Sequence, residues 1–389
     1  MTDFNLIYPR KGTNSVKWDT QKFKFGVDDL TAFWIADMDF PVALCITEAL
    51  KERIGHPIFG YTSPSFQFRK AFCRWYLERH DFEISPDWIV PAANTITAMS
   101  ILLQGLTAPE DRCLILPPVY DAFSAIIRSS GRTLVQLPLR EKEGSYSLDM
   151  DALEQELSHG VRCLIFCNPH NPCGKVWEPE ELDHIAQLCK TYHVLILSDD
   201  VHCDWCYAPH RYRPLILSQE ARENTILFTA PSKTFNLAGL GASTLIIPDE
   251  NLRKQSVAIL EGAAMRGSNL FAYTAMEAAY MHGGEWLDAV RSYVEGNINT
   301  ALSRLQKEAP CLSLRKPDST FMLWIDCRAS GLGSQEIVRQ LAQEYGISVN
   351  AGNIYGHGGD GFIRLNVACP ASTLEIGLSA LSSWYRDHF

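Results

Sequence analysis

Six apolar runs of five to seven residues recur through the middle of the chain: 112–116 (RCLIL), 133–139 (TLVQLPL), 162–167 (RCLIFC), 194–198 (VLILS), 225–229 (TILFT) and 243–248 (STLIIP). Runs with little polar alternation belong to strands covered on both faces, so they predict an α/β chain with a mostly parallel central sheet and flanking helices. Between the third and fourth runs the period changes. In EPEELDHIAQLCKTYH (178–193), Leu182, Ile185, Ala186 and Cys189 fall on one helical face, Pro179 suits the first turn, and acidic residues gather at the positive end of the helix dipole. This segment is a crossover helix.

After GGEWLDAVRSYVEGN (283–297) the pattern turns to a long helix, then to strands in STFMLWIDCR (319–328) and GFIRLN (361–366). A boundary near residue 285 follows. The expected division is a large domain over 46–284, a smaller α+β domain over 285–389, and an N-terminal arm, 1–45, packing with the small domain. No internal repeat or low-complexity segment interrupts this plan.

Composition narrows the partners. The chain has 389 residues, 46% hydrophobic and 21% charged, with a formal charge of −10 and no basic tract. That is enough to bury a large core and disfavours capture of nucleic acid or of an anionic membrane. MTDFNLIYPRKG lacks an apolar leader core, and no run approaches membrane-spanning length, so a cytoplasmic protein with a small-molecule ligand is expected. The 12 cysteines often lie in apolar segments and read as buried free thiols. HCDWC (202–206) has no second pair of matching spacing, so no metal is expected.

In doubly wound sheets, ligands sit beyond the carboxyl ends of the strands. Four runs end in polar groups: PPVYDAF (117–123), NPHNPCG (168–174), DDVH (199–202) and APSK (230–233). A ring, an amide, a carboxylate and an amine therefore converge on one crevice. An amine among apolar neighbours loses its proton readily and suits imine chemistry, while a facing carboxylate can hold a pyridine nitrogen protonated. These are the protein parts that pyridoxal phosphate needs. Taken singly, each has a plainer reading: Lys233 as a solvated loop residue, Asp199 and Asp200 as caps, His202 as a core histidine, NPHNP as a turn, Tyr120 as packing, Arg364 as half of an ion pair. The glycines of GNIYGHGGDG (352–361) fit no nucleotide motif and read as a loop beside the substrate, with Asn350, Tyr355 and His357 on that side.

The ordered motifs KGTNSVKWD, ADMDF, IFGYT, PVYDAF, CNPHNPCGKVW, SDDVH, APSKTFNLAGL and GFIRLNVACP span nearly the whole chain. Together they resemble the MalY/PatB-type cystathionine β-lyase (C–S lyase) group of the fold-type I pyridoxal-phosphate-dependent aminotransferase superfamily. The resemblance implies pyridoxal 5′-phosphate as cofactor. Lys233 would bind it as an imine and then shuttle the substrate Cα proton, Asp199 would pair with the ring nitrogen, and Tyr120 would stack on the ring. Asn171 would donate to the phenolic oxygen, with His202 nearby in the place often held by tyrosine. Asn94, Thr95 and Ser232 would hold the phosphate, Tyr61 would reach it from a neighbouring subunit, and Arg364 would clamp the substrate carboxylate. A homodimer with shared active sites follows from the same resemblance. So does β-elimination of cystathionine or a related cysteine S-conjugate, with aminotransfer as the alternative and restraint of a transcription activator as a possible second role.

Several positions depart from the pattern. Gly241 stands where the wider superfamily often has an arginine, and Ala93, Asn94 and Thr95 replace Gly-Val-Val. Asp121 takes the place of a second tyrosine in some members, and Asp200 that of a glutamate.

Overall fold

The computed structural model describes residues 2–265 and 267–389. Its central sheet has seven strands: β1 (Ile89–Ala92), β2 (Arg112–Ile115), β3 (Thr133–Gln136), β4 (Val161–Cys167), β5 (Leu195–Asp199), β6 (Thr225–Thr229) and β7 (Ser243–Ile246). They lie in the order β1-β7-β6-β5-β4-β2-β3. β7 runs antiparallel to β1 and β6, and every other neighbouring pair is parallel. All six expected strands are present. β1 was not anticipated, because its four residues carry Pro91, which reads against a strand; the proline is tolerated because β1 lies at the sheet edge.

Both faces are covered along the inner strands, as their unbroken apolar runs require; β3, at the sheet edge, leaves Thr133 and Gln136 exposed, against the expectation from its run. On one side Leu197, Ile226 and Phe228 pack with Met99 and Leu102 of helix α1 (Thr95–Leu106) and Phe123 of α2 (Asp121–Ser129). On the other, Leu164, Phe166 and Ile196 meet Leu182, Ile185, Ala186 and Cys189 of α3 (Pro179–Thr191). Each fully buried leucine, isoleucine or phenylalanine contributes roughly 1.5–3 kcal/mol. Glu178 caps α3 in a reciprocal box with Glu181, and Pro179 occupies the first turn.

A 25-residue helix, α4 (Gly284–Glu308), begins earlier than expected and takes in residues 284–297, after which the long helix was expected. Beyond it β8 (Met322–Asp326), β9 (Asn350–Ala351) and β10 (Phe362–Asn366) form an antiparallel sheet in the order β8-β10-β9. The N-terminal arm reaches this part of the chain: Thr31–Ala32 run parallel to Ile347–Ser348. All 12 cysteines are free and eight are buried. Among the described residues no helix is long and apolar enough to cross a membrane.

The topology gathers the polar ends. Because β7 alone is reversed, its first residue, Ser243, pairs with Ala92 at the end of β1 and lies on the same edge as the ends of β2, β4, β5 and β6.

Candidate active site

A cavity of about 390 Å³ opens at that edge. Lys233 enters it from a one-turn helix, Pro231–Thr234, that follows β6. Its Nζ donates to the Ala36 carbonyl at 2.6 Å. Burial pushes the ammonium down to about 8, and Arg364 pushes the same way against Asp37 and Asp199. Lys233 is therefore no solvated loop residue: it is an amine that is substantially unprotonated at mildly alkaline pH.

Asp199 ends β5 and is 4% exposed. Burial raises its carboxyl to about 6, although the Val201 N–H at 3.3 Å and Lys233 both favour the anion. The adjacent Asp200 points into protein, accepting from Ser198 and Tyr212, and burial raises it to about 8. Of the two carboxyls, Asp199 alone lines the cavity.

Arg364 sits on the central strand of the small sheet, opposite both Trp324 and Asn350. Its two terminal nitrogens donate to Asn171 Oδ1 at 3.2 Å and to the Trp34 carbonyl at 3.0 Å, while its plane lies 5.1 Å from the Tyr355 ring centre. Its Nε has no partner, and among the described residues no carboxylate pairs with it. The guanidinium is thus positioned by neutral groups and keeps its charge for a ligand. His202 is 2% exposed, lines the same cavity and leaves Nδ1 without a partner. Burial, with Lys233 and Arg364 adding to it, holds the imidazole neutral. A satisfied core histidine would show neither feature.

Tyr120 lines the cavity from the N-cap position of α2. Burial lifts its hydroxyl to about 12, so the ring stays neutral and is available for stacking. Asn94, Thr95, Ser232 and Gly241 form the end of the cavity beside the start of α1. Asn94 caps that helix through Oδ1 to the Thr97 N–H at 3.2 Å, and the Thr95 hydroxyl donates to Ser243 Oγ at 3.0 Å. Both side-chain oxygens are engaged locally, so an anion here meets the free backbone N–H groups and the positive end of the dipole.

Two expected residues lie elsewhere. Tyr61 is fully exposed and does not line the cavity of its own chain. His357 is exposed outside the cavity, whereas Asn350 and Tyr355 line it. The HCDWC stretch splits in function. His202 faces the cavity, while Cys203 and Asp204 turn toward His80, their ligand-type atoms within 4.8 Å of one another. Asp204 accepts from Trp75 Nε1 at 3.0 Å and Thr234 Oγ1 at 2.7 Å, with His80 Nε2 at 3.0 Å. Burial alone would raise this carboxyl, but the hydrogen bonds bring it below its usual value. An ionised carboxylate so surrounded anchors the Lys233 turn through Thr234, and Trp205 adds a second tie by donating to the Lys233 carbonyl at 2.7 Å.

The strap over residues 34–40 was not assigned a role from sequence. It has no regular structure, so side chains must satisfy its carbonyls. Trp34 O accepts from Asn350 at 2.8 Å and Arg364 at 3.0 Å, Ile35 O from Asn366 at 2.7 Å, and Ala36 O from Lys233 at 2.6 Å. Asn236 grips the next turn, accepting from Met38 N at 2.9 Å and donating to the Met38 and Phe40 carbonyls, both at 3.0 Å. The strap therefore registers the lysine turn against the arginine strand. The available signal was the pair of asparagines three residues after Lys233 and two after Arg364.

The aminotransferase class I and II profile matches residues 28–381. The chain belongs to that family. It is 41% identical over 383 residues to cystathionine β-lyase PatB of Bacillus subtilis, covering 98% of this chain and 99% of the relative. It is 33% identical over 391 residues to protein MalY of Escherichia coli, covering 99% of each. The structure of cystalysin from Treponema denticola, which contains pyridoxal 5′-phosphate, superposes with a TM-score of 0.96 at 29% identity, over 100% of this chain and 99% of that one.

Proposed function

We propose that the chain is a pyridoxal-phosphate-dependent carbon–sulfur β-lyase. With L-cystathionine or a related cysteine S-conjugate it would consume one water and release a thiol, pyruvate and ammonia. The observation that carries the reading is the convergence of Lys233, Asp199 and Arg364 on one cavity, where burial lowers the Lys233 ammonium to about 8 and so eases its loss of a proton. Likeness to PatB, MalY and cystalysin supports the same chemistry. The residues fit the cofactor: a lowered amine, a carboxyl facing it, a neutral ring, a helix start for phosphate, and a buried His202 Nδ1 with a partner still to find.

Bound there, pyridoxal phosphate supplies an electron sink for the pair left when a proton leaves Cα. Asp199 would hold the ring nitrogen as a cation; a facing positive charge brings its raised pKa back down and keeps it anionic. Arg364 would take the α-carboxylate on its two terminal nitrogens, displacing the neutral contacts it now makes. Lys233, released from Ala36, would accept the Cα proton and return one as the thiolate departs. Tyr120 would pack on the ring, Asn171 and His202 would serve its phenolic side, and Asn94, Thr95 and Ser232 would hold the phosphate.

Tyr61 belongs to this proposal as the partner subunit's contribution. Beside it Ile58, Phe59 and Phe66 are 66%, 59% and 76% exposed, an apolar segment that a homodimer would cover. The division into an arm (1–45), a large domain (46–284) and a small domain (285–389), and a cytoplasmic setting, complete it.

The test is pyruvate release from L-cystathionine by the purified yellow protein, with and without 2-oxoglutarate. Rapid release without the oxo acid is expected. Amino-group transfer that strictly requires the oxo acid, with no pyruvate from cystathionine, would make the enzyme an aminotransferase instead.

A further inference from the structure

Among the described residues, five charged side chains line the cavity: Lys24, Asp121, Asp199, Lys233 and Arg364. Asp199 and Arg364 are buried and Lys233 is half-buried, and the proposed lyase reaction uses all three. Lys24 and Asp121 are exposed, which places them at the mouth. Lys24 comes from the short helix Gln21–Phe25 and holds its Nζ 5.9 Å from the centre of the Trp34 ring, itself part of the wall. Asp121 opens α2 next to Tyr120, close enough for its charge to raise the hydroxyls of both Tyr120 and Tyr355. Each has a local role, as a cation over a ring and as an acid in a first helical turn. Among the described residues neither has an ion-pair partner, so one positive and one negative charge remain uncommitted on one cavity rim.

Substrates of a carbon–sulfur β-lyase share the amino-acid end and differ beyond the sulfur. Cysteine offers a proton there and S-alkyl cysteines an uncharged chain. Cystathionine offers methylenes and then a second ammonium and carboxylate. The cavity wall also includes Ile35, Ile354 and the rings of Trp34 and Tyr355, which suits methylenes. Resting on the lyase reading, we propose that Lys24 and Asp121 are specificity residues, Lys24 taking the distal carboxylate and Asp121 the distal ammonium of a thioether amino acid such as L-cystathionine. Thioethers with a zwitterionic leaving half are thereby preferred over cysteine and its S-alkyl derivatives.

The holoenzyme is assayed with L-cystathionine and S-ethyl-L-cysteine, and the ratio of the two kcat/KM values is compared among the parent, Lys24→Glu, Asp121→Lys and the double variant carrying both. Each single variant should lower the ratio about five- to tenfold, mainly through KM for cystathionine. The double variant should recover much of the loss, because a distal zwitterion can bind reversed to an exchanged pair. Both side chains are exposed, so thermal midpoints should match the parent and mark folding as intact. An unchanged ratio, or equal losses on both substrates, would overturn the assignment. If the parent releases pyruvate from neither substrate, it is the lyase reading that fails. Titrating the bound cofactor's absorbance with the same two amino acids then decides the charge assignment: weaker cystathionine binding in the single variants retains it, and unchanged binding removes it.

Discussion

The two ionisable residues at the centre of the site are pulled in opposite directions by one cause, loss of water. Lys233 falls to about 8 from an ordinary 10.5, and Arg364 contributes to the fall. In the cofactor-free protein, acylation of Lys233 by an amine-selective reagent, followed by peptide mass spectrometry, should be half-maximal near pH 8. Arg364→Leu should move that midpoint upward, since it removes a repelling cation; a midpoint unmoved near 10.5 in the parent would mean the amine is hydrated. Asp199 titrates near 6 in the fold against 3.8 ordinarily, so between those values the folded chain holds a proton that the unfolded chain has released. Its contribution to stability therefore declines as pH rises through that window and stays low above it. Asp199→Asn should accordingly stabilise the cofactor-free chain at pH 8, by up to about 3 kcal/mol, and lower turnover of the holoenzyme by about a hundredfold or more. Equal melting of the two proteins at pH 8 would contradict the burial argument. These residues were legible because strand ends in a doubly wound sheet are few and their chemistry is distinctive. The neighbour that holds Lys233 was not legible, since a carbonyl such as that of Ala36 carries no residue identity.

Among the elements, the strap over 34–40 is where sequence and structure part. Its path depends on side chains distant in sequence: Asn236 from the lysine turn, Asn366 and Arg364 from β10, Asn350 from β9. No period of two or 3.6 announces such a segment, whereas β2, β4, β5 and β6 announce themselves by burial on both faces. β1 escaped for a related reason: an edge strand of four residues with a proline leaves almost no pattern. Asn236 has a φ of 58°, a conformation that asparagine tolerates better than most residues, and its amide makes three strap contacts. Replacing it by glycine keeps the backbone freedom and removes the grip. Asn236→Gly should therefore raise KM several-fold, because Arg364 loses its register with the lysine turn, and cost about 1–3 kcal/mol in thermal unfolding. Asn236→Asp retains the acceptor for Met38 N but neither donor, and should fall between glycine and the parent. A KM identical to the parent in the glycine variant would separate the strap from substrate binding.

For the whole molecule, the cavity of one chain holds every expected contact except His357 and Tyr61, and Tyr61 stands fully exposed on the same chain. An aromatic residue so exposed beside Ile58, Phe59 and Phe66 costs solvation free energy unless another surface covers it. No run of apolar residues in the sequence marks this patch, because its members lie in loops and helix starts; only the motif IFGYT pointed to it. If Tyr61 completes the phosphate cradle of a second copy, each active site draws on two chains, and Lys233 and Tyr61 of one polypeptide serve different sites. Lys233→Ala and Tyr61→Ala homodimers should then both be nearly inactive. Random re-association of equal amounts makes half the dimers mixed, each with one intact site of two. Refolding the two variants together with cofactor should therefore restore about a quarter of parental activity. If Tyr61 instead served its own subunit, every site in a mixed dimer would carry one lesion, and co-refolding would restore nothing above the separate variants.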